Sequence, residues 1–177
     1  MTHPSGAPRL IAFGGRPGVG KTTLARALAC RLGAVALRID TIEQAIRDAG
    51  VLSAGVGTAG YRVAAALASS HLAQGLSVVA DAVNPVAAAR QGWRDLAARA
   101  GVRLLEIEVV CSDEAEHRRR VETRGCDIPG LSPPDWEAVR RLAIADWLEP
   151  HLVVDTARGD PERSLRAILA ALGPAVA

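Results

Sequence analysis

Lys21 is the single lysine of this 177-residue chain, and the other twenty of its twenty-one basic Lys and Arg side chains are arginines. The residues around it, Gly15-Arg16-Pro17-Gly18-Val19-Gly20-Lys21-Thr22, have the spacing G-x-x-x-x-G-K-[ST] of a phosphate-binding loop. A compact ammonium on a flexible stem reaches between the β- and γ-phosphates of a nucleotide, where a planar guanidinium is too bulky. Backbone N–H groups of residues 18–22 would point at an anion from a helix N-terminus. The Thr22 hydroxyl stands where Mg²⁺ needs an oxygen ligand, and Thr23 is within reach of the α-phosphate.

Two carboxylates follow apolar runs. Asp40 comes after the second predicted strand, in Arg38-Ile39-Asp40-Thr41-Ile42. There it would face the γ-phosphate and accept or orient the proton of an acceptor hydroxyl. The same residue type also caps helices, and a helix is predicted from Thr41. Asp81 closes Val78-Val79-Ala80-Asp81, where it would hold Mg²⁺ or contact substrate. Asn84 reads equally as a second polar contact or as a turn residue before Pro85. Arg120 and Arg124 are four apart on a predicted helix and share a face that can clamp phosphate and stack on a base. Arg118, Arg119 and His117 read as a solvated helix surface balanced by Glu114, Glu116 and Glu122. Asp155-Thr156-Ala157-Arg158, after the last strand, would border the nucleotide base, with Arg158 as a further contact. Trp93 and Trp147 read as packing, and Trp136 as the tryptophan best placed to close over a site.

Strand and helix signals alternate along the whole chain. Strands are predicted over 10–13, 35–39, 76–80, 102–110 and 152–154. Helices are predicted over 22–32, 41–49, about 60–74, 85–100, 112–124, 135–148 and 161–172. Leu24, Leu28 and Leu32 mark the apolar stripe of the first helix, and Gly33 its left-handed stop. Residues 51–60 and 125–134 read as Gly-rich loops. Such βα alternation implies a parallel sheet covered by helices on both faces, with ligands outside the carboxyl ends of the strands.

Length implies one domain, from residue 9 to 177, after a disordered tail over 1–8. Aromatic residues make up 3% of the chain, so the core is aliphatic. A net charge of +2 is too weak to imply nucleic-acid binding. Cys30, Cys111 and Cys126 fit neither a disulfide framework nor a zinc pattern, which suits a reduced, cytoplasmic setting. No stretch has the character of a signal peptide or the length of a membrane span.

These motifs together resemble the small P-loop kinases, closest to the zeta-toxin, chloramphenicol-phosphotransferase and polynucleotide-kinase-like group of AAA-family ATP-binding proteins. The resemblance runs through residues 15–23, Ile39-Asp40-Thr41-Ile42, residues 79–84 and residues 111–124. Asp127-Ile128-Pro129-Gly130-Leu131 with Trp136, and residues 153–157, are similar to a bacterial subgroup of that kind. It implies an α/β P-loop NTPase fold, a five-stranded parallel sheet in the order 2-3-1-4-5, and an arginine-bearing lid over about 112–134. It also implies ATP and Mg²⁺, Asp40 as catalytic base, Arg120 stacking on adenine and Arg124 on the phosphates. Polynucleotide kinases carry an arginine three residues after the base, where this chain has Glu43. The expectation is therefore a phosphotransferase acting on a small-molecule hydroxyl, as a monomer or homodimer. Its acceptor pocket would be lined by residues 41–61 and 84–93. The competing expectations are a nucleotide-binding switch and a kinase of nucleic-acid ends or sugar nucleotides. The chain has no N-K-x-D guanine signature, since its one lysine is Lys21.

Overall fold

The computed structural model describes residues 6–50, 52 and 55–173. Residues 1–5 of the expected tail, and residues 51, 53 and 54 of the expected loop, lie outside the described residues. Five strands form one parallel sheet: β1 (Arg9–Gly14), β2 (Val35–Arg38), β3 (Val78–Asp81), β4 (Arg103–Val110) and β5 (Leu152–Asp155). Their order is β2-β3-β1-β4-β5, as expected. The helices are α1 (Lys21–Leu32), α2 (Ile39–Asp48), α3 (Ala59–Ala73), α4 (Ala87–Ala100), α5 (Glu114–Thr123), α6 (Trp136–Arg141) and α7 (Pro161–Leu172).

The period of two along β1 builds two cores. Ile11 and Phe13 face Leu24 and Leu28 of α1 and Leu165 and Ile168 of α7. Leu10 and Ala12 face Ala64 and Ala68 of α3 and Trp93 and Leu96 of α4. β1 lies between β3 and β4, so the loop after Gly14 leaves from the middle of the sheet.

Two local expectations change. Helix α2 begins at Ile39, directly on the end of β2, and Arg38 occupies its N-cap position without a side-chain cap. Asp40 is therefore inside the first helical turn and is not the cap. A run of 135–148 as one helix is also incorrect, since α6 stops at Arg141. Tertiary partners take the backbone beyond it. The Arg16 guanidinium donates to the carbonyls of Val139 and Leu142 at 2.7 and 2.6 Å. The Ala145 N–H donates to Pro85 O at 2.8 Å, and Arg90 donates to Asp146 O at 2.6 Å. Those bonds hold the segment as an irregular strap against α4 and the phosphate loop. Among the described residues, no helix is long and apolar enough to cross a membrane.

Candidate active site

The loop from Gly15 to Gly20 joins β1 to α1, and its glycines are required by geometry. Gly15 has φ +124°, and a Cβ there would lie 2.2 Å from the Val109 carbonyl oxygen of β4. Gly20, at φ 98°, caps α1 in a left-handed conformation that a side chain rarely adopts. Side chains from behind take the loop's carbonyls. His117 Nε2 lies 2.8 Å from Pro17 O, so that nitrogen carries the proton. Thr156 Oγ1 donates to Val19 O at 2.8 Å. With carbonyls turned back into the protein, the alternate N–H groups are free to face the cleft.

Lys21 is buried, 8% exposed, and its ammonium donates to Arg16 O at 2.8 Å. Burial pulls its pKa down from 10.5 to about 8, against the pull of Asp81 and Asp40, while Arg124 and Arg38 lower it further. Thr22 donates its hydroxyl to Asp81 Oδ2 at 2.6 Å. Asp81 is itself buried, which raises its pKa, while Lys21, Thr22 and Arg38 oppose that rise. The hydroxyl and carboxylate are hard oxygen donors in mutual contact. Among the described residues no group of three or more His, Cys, Asp or Glu could cage a metal. A pair of protein oxygens with the remaining positions left to phosphate and water is what Mg²⁺ prefers, so the donor set fits that ion.

Above this floor lies a cleft of about 810 Å³. Gly18, Gly20, Lys21, Thr22 and Thr23 line one part of it, with Arg120 and Thr156 on one side and Asp40, Glu43 and Tyr61 on the other. Arg120 is locked in place: Nε to Glu116 at 2.7 Å, Nη1 to Thr156 Oγ1 and Nη2 to Thr156 O, both at 2.9 Å. Arg124 ends α5 at its C-cap, lines the cleft, and acts electrostatically on Lys21. Asp40 is half-exposed, with Oδ2 3.8 Å from Arg38 Nη2.

Not every expected contact is in the cleft. The Arg16 side chain turns away to hold the 139–142 strap, leaving only its backbone in the loop. Val19 contributes its backbone, its side chain being in the core. Arg158 is exposed and does not line the cleft, although its neighbour Thr156 does. Asn84 is a structural hub, 1% exposed at φ 51°. Its N–H donates to Tyr61 Oη, its amide to Phe13 O, and its carbonyls accept from Trp93 and Arg90. Every polar group is spent, so it is not a substrate contact. Trp93 is buried with it, which leaves Glu43, Tyr61 and Pro85 from the expected acceptor lining, joined by Val83. Trp136 packs edge-on against His117 at 5.2 Å, behind the phosphate loop rather than over the cleft. Arg118 and Arg119 are exposed and paired with Glu122 and Glu116.

Three residues that support the site were not given these supporting roles from the sequence. His117 is 7% exposed and supports the loop; Tyr61 holds the Asn84 turn, its hydroxyl pKa pushed up to about 12 by burial; Arg38 lies among three carboxylates. Each acts through a partner distant in sequence. The one hint was that Arg38 adjoins Asp40.

Comparison with known proteins agrees with this geometry. The AAA domain family AAA_33 matches residues 10–142. The uncharacterized proteins Rv2004c of Mycobacterium tuberculosis and Mb2027c of Mycobacterium bovis are each 32% identical over 171 residues, covering 89% of this chain. The chain spans about a third of the length of those relatives, 33% in each case. A crystal structure from Chloroflexus aurantiacus superposes with TM-score 0.73 at 24% identity, over 97% of this chain and 99% of that one. The APS kinase CysC of Mycobacterium tuberculosis, in complex with AMPPNP and APS, gives 0.71 at 18% identity, over 95% and 99%. A gluconokinase from Sinorhizobium meliloti gives 0.63 at 20% identity, over 97% and 93%. The sheet order, the phosphate loop and these matches agree, and the chain belongs to the AAA_33 AAA-domain family and has the fold of the small P-loop kinases.

Proposed function

We propose that this protein is a phosphotransferase that moves the γ-phosphoryl group of ATP, with Mg²⁺, to a hydroxyl of a small molecule. The observation that carries the reading is the 2.6 Å contact of Thr22 with Asp81 beside a buried Lys21, with Asp40 on the other side of the same cleft. Thr22 and Asp81 would hold Mg²⁺, which would supply positive charge against the phosphates. The backbone N–H groups of the loop and the Lys21 ammonium would bind and orient the β- and γ-phosphates. Arg120, fixed by Glu116 and Thr156, offers its guanidinium face to the base. Arg124 meets negative charge that grows during transfer. Asp40 accepts the proton of the acceptor hydroxyl, or aims that hydroxyl in line with the phosphorus. Helix α5 with the loop that follows it serves as the lid, excluding water from the transfer.

The acceptor half supports a small molecule over a nucleic-acid end. Glu43 faces it, raised in pKa by burial and paired with Arg47 at 3.2 Å. That carboxylate replaces the arginine a phosphorylated strand end would need. APS kinase and gluconokinase, among the structures with this fold, are named for small acceptors. Free Cys30, Cys111 and Cys126 suit a reducing, cytoplasmic compartment. The test is a panel of hydroxylated metabolites and antibiotics incubated with Mg·ATP, following ADP release and product mass. A phosphorylated product supports the reading. Tight nucleotide binding with no acceptor-stimulated ADP release would favour a regulatory switch.

A further inference from the structure

Arg38, at the end of β2, sets each part of its guanidinium against a carboxylate from a different element. Nη1 donates to Asp127 of the loop after α5, at 2.8 Å to Oδ1 and 3.0 Å to Oδ2. Nη2 lies 3.8 Å from Asp40 Oδ2 on α2, and Nε lies 3.9 Å from Asp81 Oδ2 on β3. Only the Asp127 contact is a hydrogen bond; the Arg38 Nε is buried and has no partner among the described residues. Arg26 of α1 donates to the same Asp127 carboxylate. The two arginines hold the Asp127 carboxyl down at about 2, so it is ionised at any working pH.

The loop that carries Asp127 is seated on the acceptor side. Ile128 is buried, and at Gly130 a Cβ would meet Gln44 of α2 at 3.0 Å. A charge-assisted hydrogen bond at 2.8 Å outweighs ion pairs near 4 Å, so Asp127 determines where the guanidinium rests. Without that carboxylate, the nearest acceptors left to Arg38 are Asp40 and Asp81. Asp40 is half-exposed and can turn to meet it. A fork on Asp40 would occupy the lone pairs that the acceptor hydroxyl needs.

We propose that Asp127 is a positioning residue for transfer: seated, it holds Arg38 and leaves the Asp40 oxygens open to the acceptor; unseated, it releases Arg38 onto Asp40. This rests on the reading of Asp40 as the group that receives the acceptor's proton. In this way the acceptor base opens only when the loop covers the cleft.

Two measurements test it without an identified acceptor. The first is hydrogen exchange of residues 125–134 in the whole protein. Asp127→Asn, which loses both arginine contacts, should speed it about tenfold; Arg38→Gln, which leaves the Arg26 contact, should speed it less, and the double variant should go little further than Asp127→Asn. The second is modification of the Asp40 carboxyl by a carbodiimide and an amine, read by mass spectrometry. Asp127→Asn should slow it several-fold, on the order of a coupled pair. Adding Arg38→Gln should restore it to wild-type rate or above. A purely structural role for Asp127 would loosen the region and speed modification, the opposite sign. Unchanged exchange in Asp127→Asn, or Asp40 modification that is not slowed, would overturn the proposal. A wild-type protein that transfers to no acceptor would overturn the kinase reading instead, leaving both of these measurements standing.

Discussion

Raising the pH from about 7 to about 9 should weaken nucleotide binding roughly tenfold through Lys21 alone. In the free protein, burial holds this ammonium at about 8 instead of 10.5. A bound triphosphate places negative charge beside it and favours the protonated form, so the bound-state value moves back up. Affinity is then full below about 8 and falls up to tenfold per pH unit as the free lysine loses its proton. The stability of the free protein must move the other way. Between about 8 and 10.5 the unfolded chain binds more protons at Lys21 than the folded one, so folding stability rises with pH across that window. The shift corresponds to about 3 kcal/mol in all, at 1.36 kcal/mol per unit. Calorimetric titration with Mg²⁺ and a non-hydrolysable ATP analogue, in buffers of different ionisation enthalpy, reads both affinity and proton uptake. Uptake should peak near the middle of the window, and Lys21→Met should flatten the pH dependence. An affinity unchanged between the two pH values in folded protein, or proton release on binding, would refute the reasoning.

Lys21→Arg should impair transfer nearly as badly as Lys21→Ala, by a hundredfold or more in kcat on the order of a lost oxyanion donor, because a planar fork cannot replace the compact ammonium that Lys21 presents from its buried stem; near-normal turnover would contradict this. Gly15→Ala should cost about 2–4 kcal/mol in denaturant unfolding and abolish nucleotide binding, since its Cβ would strike the Val109 carbonyl. Wild-type stability in that variant would show that the loop can shift. Arg120→Ala should weaken nucleotide binding about tenfold by cutting the link from Glu116 to Thr156, in line with roughly 1–2 kcal/mol for a charged hydrogen-bond set; an unchanged calorimetric Kd would remove Arg120 from the base site.

Features determined by short-range spacing were legible in the sequence. The phosphate loop, its flanking strand and helix, the strand-end Asp81 and the alternation that implies a parallel sheet depend on neighbours within one or two turns. The β2–α2 junction was not legible, because nothing local shows that a helix starts at Ile39 without a loop. Helical periodicity over 135–148 is real in the sequence, but Arg16 and Arg90 take the carbonyls that a continued helix would have used. His117 reads as a helix-surface residue until Pro17, a hundred positions away, is seen to need a donor. Arg38 and Asp127 are 89 residues apart, and their pairing exists only once the loop after α5 folds back over α2.

The most direct test of the central claim separates binding from transfer at Asp40. Asn keeps the size and drops the negative charge, so Asp40→Asn should bind Mg·ATP with wild-type affinity. Formation of phosphorylated acceptor, measured by product mass under saturating nucleotide, should fall by about 10²–10⁴-fold, the range for a positioned base. Product formation at the wild-type rate would contradict the central assignment, that Asp40 receives the proton of the acceptor hydroxyl or aims that hydroxyl at the phosphorus.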